Sequence, residues 1–188
     1  MKNQHALEKA LLRAAAAGDE EKCAKLLAAG VSANGSMMRF PLIAAAGSGA
    51  PGAARVCSML IAGGADEKSW GGLGLNALHH AALTGSEANI DVFVAAGVDV
   101  NTQGRCGSTA LHLAARLGKE RVVSRLLIAG ANINALDRAG MTALDHARIK
   151  GKQAAAAVLT SAIEKQIFEE HLSSPARSTR SARSGRTL

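Results

Sequence analysis

Histidines at positions 79, 80 and 112, with Cys106 close to the last of them in sequence, are the residues that could hold a metal ion. Imidazole nitrogens and a thiolate are the usual zinc donors, but their spacing here does not follow the paired pattern of a zinc finger. Asp66, Asp99 and Asp137 supply carboxylates, yet they fall one at a time in turn-rich stretches. Nothing sets two of them in one cleft as general acid and base. The chain has no nucleophile elbow, no HExxH and no P-loop. Its glycine-rich run at residues 47–52 lacks the Lys-Ser/Thr that completes a phosphate cradle, and reads instead as a surface insertion. These residues predict no catalysis, no cofactor and no bound metal. Cys106 stands at a loop tip, where a reactive thiol and a small tolerated surface residue are both compatible with the sequence.

The elements that would position these side chains are set by a repeat. Gly64, Gly97 and Gly130 are 33 residues apart, and Gly30 lies 34 before the first of them. Each closes an apolar phrase, as in Leu126-Leu127-Ile128-Ala129-Gly130. A period near 33 denotes one supersecondary unit copied and stacked. Counting from a leucine to the closing glycine gives 19 residues for Leu11–Gly30, Leu78–Gly97 and Leu111–Gly130, but 22 for Leu42–Gly64. The second unit therefore carries a three-residue insertion, which falls in 47–52 and suits a lengthened inter-helix turn.

Each unit reads as two short helices. In the fourth, residues 109–117 form the first, with Thr109 as cap or first-turn residue and Gly118 as stop. Residues 119–129 form the second, with Val122, Val123, Leu126 and Leu127 on one face at helical period. Residues 131–140, rich in Asn, Asp and Gly, cross to the next unit.

These phrases resemble ankyrin repeats. Gly107-Ser108-Thr109-Ala110-Leu111-His112-Leu113-Ala114-Ala115, Gly74-Leu75-Asn76-Ala77-Leu78-His79-His80-Ala81-Ala82 and Asp137-Arg138-Ala139-Gly140-Met141-Thr142-Ala143-Leu144-Asp145 are similar to the family's D-x-x-G-x-T-P-L-H phrase. Gly97-Val98-Asp99-Val100-Asn101 and Gly130-Ala131-Asn132-Ile133-Asn134 resemble its closing phrase. The resemblance covers about residues 6–172. It implies an all-α solenoid of about five helix-turn-helix repeats linked by β-hairpin-like loops, at about 6–34, 35–68, 69–101, 102–134 and 135–172. It also implies that His79 and His112 join neighbouring units by structural hydrogen bonds. The family proline is kept only at Pro41 and is Ala77, Ala110 and Ala143 elsewhere. The family histidine is Leu12, Ile43 and Asp145 in units one, two and five. The first two units are the most irregular and are expected to be the least stable, with the first and last acting as caps.

The resemblance further implies that loop tips and the open face of the first helices bind partners. Tip positions so assigned are Ser36, Met37, Arg39, Gly72, Leu73, Leu75, Arg105, Cys106, Ser108, Arg138, Ala139 and Met141. First-helix positions are Leu83, Thr84, Arg116, Leu117, Ile149 and Lys150. Apolar residues in the crossings (Met37, Met38, Phe40, Trp70, Leu73, Leu75) are unusual for loops facing water. They read either as a partner surface, where Met, Trp and Arg are enriched, or as cover for the neighbouring unit. Arg105, Arg116 and Arg138 on corresponding faces favour an acidic protein partner.

Composition bounds the rest. Aromatic residues make up only 2% of the chain, so Ala and Leu must carry the core, as suits closely packed helices. Of the net charge of +7, residues 173–188 supply four through Arg177, Arg180, Arg183 and Arg186, leaving the folded part mildly basic. That Ser/Arg-rich tail is predicted to be disordered. Three roles stay open for it: solubility, a localisation or export signal or kinase-accessible switch, and loose salt-dependent binding of nucleic acid or anionic lipid. Sequence-specific nucleic-acid reading is not expected. Three cysteines without CxxC spacing predict reduced thiols and a cytoplasmic setting, with export by a specialised machine compatible. No stretch reaches membrane-spanning length. The favoured function is a monomeric protein-binding module. The alternatives are a self-associating scaffold and a bacterial effector or adaptor whose basic tail serves as its signal.

Overall fold

The computed structural model describes residues 2–35, 40–71 and 74–173. The described residues form ten helices in five pairs: α1 (Lys2–Ala17) with α2 (Glu20–Ala28), α3 (Pro41–Ala46) with α4 (Ala53–Ala62), α5 (Ala77–Thr84) with α6 (Glu87–Ala95), α7 (Ala110–Leu117) with α8 (Glu120–Ile128), and α9 (Ala143–Ile149) with α10 (Gln153–Ser173). The first helices pack in one row, α1-α3-α5-α7-α9, and the second helices in another, α2-α4-α6-α8-α10. No strand occurs among the described residues. The expected all-α solenoid is the observed fold. Met37, Arg39, Gly72, Leu73 and the arginine tail lie outside the described residues.

The core follows the ruler. Leu11, Leu42, Leu78, Leu111 and Leu144 are buried at one position of the successive first helices. Leu60, Phe93, Leu126 and Leu159 are buried at one position of the second helices, 33 residues apart. Alanine pairs at 14–15, 45–46, 81–82 and 114–115 are buried between the first helices, where a larger side chain would hold the row apart. Cys23 and Cys57 occupy the core position that Ile90 and Val123 take in later units, and act as small apolar residues there. Burial pushes the Cys57 thiol up to about 12, so it stays protonated.

Helix ends explain how the pairs close. Gly118 ends α7 in the left-handed conformation at φ 73°, and the Lys119 N–H donates to the Ala114 carbonyl at 2.9 Å. The same closure recurs as Asp19 to Ala14, Ser86 to Ala81 and Lys152 to Ala147. The second unit lacks it because the insertion at 47–52 takes its place, and Gly47 caps α3 at φ −89°. The neighbouring unit compensates. Asn89 donates from Nδ2 to the Ala46 carbonyl at 3.2 Å, and the Thr84 hydroxyl lies 3.3 Å from that oxygen. The insertion is seated on the first unit, since a Cβ at Gly52 would stand 2.2 Å from the Gly18 carbonyl oxygen. The first helix, Lys2–Ala17, spans 16 residues and is longer than its counterparts.

Candidate functional site

Successive tips are built by one local rule. The Gly104 N–H donates to the Ser108 carbonyl at 2.9 Å, and the same hairpin-type closure joins Gly71 to Leu75 and Asp137 to Met141. Neighbouring tips are then tied by backbone bonds, Arg105 N–H to Gly74 O at 3.0 Å and Arg138 N–H to Cys106 O at 3.1 Å. These bonds fix where the arginine side chains leave the array.

Two histidines tie the tips at Ser108 and Met141 to the helix pair before them. In α7, Thr109 is the N-cap and His112 the N3 residue. His112 Nδ1 accepts from the Thr109 N–H at 3.1 Å and from its hydroxyl at 2.9 Å. The Nε2 atom faces the Met141 carbonyl of the next unit at 3.1 Å, and since a carbonyl only accepts, the proton sits on Nε2. His79 makes the same reach to the next unit, with Nε2 donating to Ser108 O at 3.1 Å, while its Nδ1 faces the Asn76 N–H at 3.4 Å and lies 2.5 Å from the Asn76 Oδ1. Burial lowers both histidines' affinity for a second proton. In α9 the equivalent residue is Asp145, which among the described residues performs the capping half alone, accepting from the Thr142 N–H at 2.9 Å and its hydroxyl at 2.7 Å. His80 is half-buried beside Gly47 and Gly71, with no hydrogen-bond partner among the described residues. Among these residues no group of three or more His, Cys, Asp or Glu is placed to hold a metal ion.

One tip carries a pair that the sequence did not announce. Asp137 Oδ2 meets His146 Nε2 at 2.7 Å, while its Oδ1 accepts from the Ala139 and Met141 N–H groups at 2.8 and 3.1 Å. The His146 hydrogen bond, with those backbone donors, holds the Asp137 carboxyl below the ordinary carboxylate range. The signal available was the nine-residue spacing of Asp137 and His146, which is visible only once the tip is known to fold back on α9.

Of the positions assigned to partner binding, Arg105, Cys106, Arg138 and Ala139 are exposed at the tips, and Arg116, Leu117, Ile149 and Lys150 are exposed on the first helices. Leu75, Ser108, Met141, Leu83 and Thr84 are half-buried, and Thr84 spends its hydroxyl on backbone carbonyls. Trp70 is 44% exposed while its ring lies 6.1 Å from that of His79, so it covers its neighbour and faces outward. Charges divide between two faces. On the second helices, Glu87 pairs with Arg121 and Arg125, Asp91 with Arg125, and Glu20 with Arg55. On the tips and first helices, no carboxylate pairs with Arg105, Arg116 or Arg138 among the described residues.

No helix among the described residues is long and apolar enough to cross a membrane. No curated protein matches the chain. Residues 78–168, from α5 into α10, match the family model for ankyrin repeats (3 copies). With the paired-helix rows and the histidine ties already in place, that match shows that residues 78–168 belong to the ankyrin repeat family.

Proposed function

We propose that the array, taken as residues 1–172 with its five repeats, is a non-enzymatic module that binds an acidic segment of a protein partner across its tips and first helices. Ankyrin repeats are generally protein–protein interaction modules. The observation that carries the finer reading is the division of charge. Arginines of the second-helix face are matched by the chain's own carboxylates, whereas Arg105, Arg116 and Arg138 are exposed without one. Exposed Leu117 and Ile149 beside them supply apolar contact. Because backbone bonds between tips set this surface before a partner arrives, little ordering entropy is lost on docking.

The test is peptide selection against the full chain, followed by calorimetry on an enriched peptide. Acidic sequences should be enriched. Arg116→Glu should weaken the selected peptide about tenfold, with unchanged helical circular dichroism, since an exposed charge in the last turn supports binding and not the fold. Equal affinity for the variant, or enrichment without acidic residues, would defeat the reading. The Ser/Arg tail is proposed as a separate localisation or export signal. Selection with a chain ending at Leu172 should give the same peptides.

A further inference from the structure

The loops between units are also joined by a ladder of side-chain amides, and the ladder has a gap. Four residues after the closing Gly30, Asn34 donates from Nδ2 to the Gly64 carbonyl at 2.9 Å and accepts from the Asp66 N–H at 2.6 Å. Four residues after Gly97, Asn101 does the same to the Gly130 carbonyl at 3.2 Å and the Asn132 N–H at 2.7 Å. A primary carboxamide fits because one group carries both the donor and the acceptor that the next loop requires.

The same position after Gly64 is Lys68. Its register is not in doubt, because its N–H closes the same turn on Asp66 Oδ1 (2.9 Å) that Asn101 closes on Asp99 and Asn134 on Asn132. A lysine ammonium has donors only, so it cannot accept from the next loop. Among the described residues nothing donates to the Gly97 carbonyl and nothing accepts from the Asp99 N–H. The ladder's outer rung is altered at the same seam. Gln103 reaches the Leu136 carbonyl at 3.0 Å, whereas the residue in its register one unit earlier is Trp70. Where both rungs are replaced, a cleft of about 460 Å³ opens, lined among the described residues by Glu67, Lys68, Trp70, Gly97, Asp99 and Thr102, together with Val98 and Asn76.

We propose that this cleft takes the side-chain carboxamide of an asparagine from a protein partner, which completes the ladder at the Gly97 carbonyl and Asp99 N–H while its chain lies against Trp70. The chemistry is the one the chain itself uses at two other seams. The cleft is larger than an amide group, which gives room for the peptide bearing it. Assigning the carboxamide to a protein rests on the reading of the array as a protein-binding module, but the site can be tested without a partner.

The full chain, labelled with ¹⁵N, is titrated with N-acetyl-asparagine methylamide, N-acetyl-aspartate methylamide and acetamide. The asparagine probe should move the Asp99 amide and Trp70 indole resonances in a saturable way. The aspartate probe, which can accept from the Asp99 N–H but has no donor for the Gly97 carbonyl, should require at least tenfold higher concentration to move Asp99. Acetamide should move Asp99 but require at least tenfold higher concentration, because it has no chain to meet Trp70; an equal requirement would overturn the assignment to a peptide. Lys68→Asn should fill the cleft from within, moving the free Asp99 amide and abolishing the titration, while Lys68→Ala keeps it. An unmoved Asp99 with the asparagine probe, equal response to the aspartate probe, or an unchanged titration in Lys68→Asn would overturn the site. Failure here leaves the Arg116→Glu result untouched, and failure of that result leaves this titration untouched.

Discussion

Replacing His112 with alanine should lower the free energy of unfolding by about 3 kcal/mol in urea titrations, with Asp145→Ala costing about 1 kcal/mol. The two residues hold equivalent places in α7 and α9, and both satisfy the cap residue of their helix. Only His112 also donates to the next tip, at the Met141 carbonyl, and only His112 is buried to 2% exposure. Its loss removes a cap, takes from the Met141 carbonyl the bond that joins it to the preceding unit while the Asp137 N–H bond remains, and opens a void. The sign of the pH dependence follows from the same geometry. Burial lowers the folded-state pKa of His79 and His112 below the unfolded value of about 6.5. The unfolded chain then binds more protons, so this contribution is complete above that value and is lost as pH falls through it. For His112, the Met141 carbonyl and Asp137 act against burial while the nearby His146 acts with it. The wild type should therefore lose stability between about pH 7 and pH 5, and His112→Ala should lose less over that interval. Equal slopes would mean that the imidazole is not held neutral in the fold.

Gly52→Ala should be the other severe substitution, costing about 3 kcal/mol or separating the first two units. At φ −85° this backbone accepts any residue, so the cost is contact alone. The added Cβ would meet a carbonyl oxygen of Gly18 at 2.2 Å, and backbone cannot swing aside as a flexible side chain can. Gly49→Ala is the control. It adds a Cβ that meets nothing within 4 Å, and its positive φ of 64° costs about 1 kcal/mol. Thermal unfolding of the two variants separates a seated insertion from a free one. Similar melting temperatures would show that residues 47–52 do not bear on the first unit.

The helix pairs were legible because glycine spacing and apolar period are local signals, repeated in register. The buried column Leu60, Phe93, Leu126 and Leu159 follows from counting alone. The histidine ties were legible through resemblance, and the bonds to Ser108 and Met141 bear that implication out. The asparagine ladder was not read, although Asn34 and Asn101 each stand four residues after a closing glycine. The partner atoms are backbone groups of another unit, which no side-chain pattern displays. The substitution at Lys68 gains meaning only when the two intact rungs are known. In the sequence Trp70 fits two readings, because covering a neighbour and facing a partner require the same apolar residue in a loop. The structure gives it both surroundings. Asn89 in the core position that Val122 takes one unit later answers the insertion, a long-range need that helix periodicity does not reveal.

A partner should meet the array on the face where, among the described residues, Arg105, Arg116 and Arg138 stand without paired carboxylates. Amide shift mapping of the ¹⁵N-labelled chain in complex with a selected acidic peptide measures this directly. The largest changes should lie in the tips around residues 105 and 138 and in the last turn of α7. Changes concentrated on α6 and α8, around Glu87, Asp91, Arg121 and Arg125, would place the partner on the opposite face and contradict it.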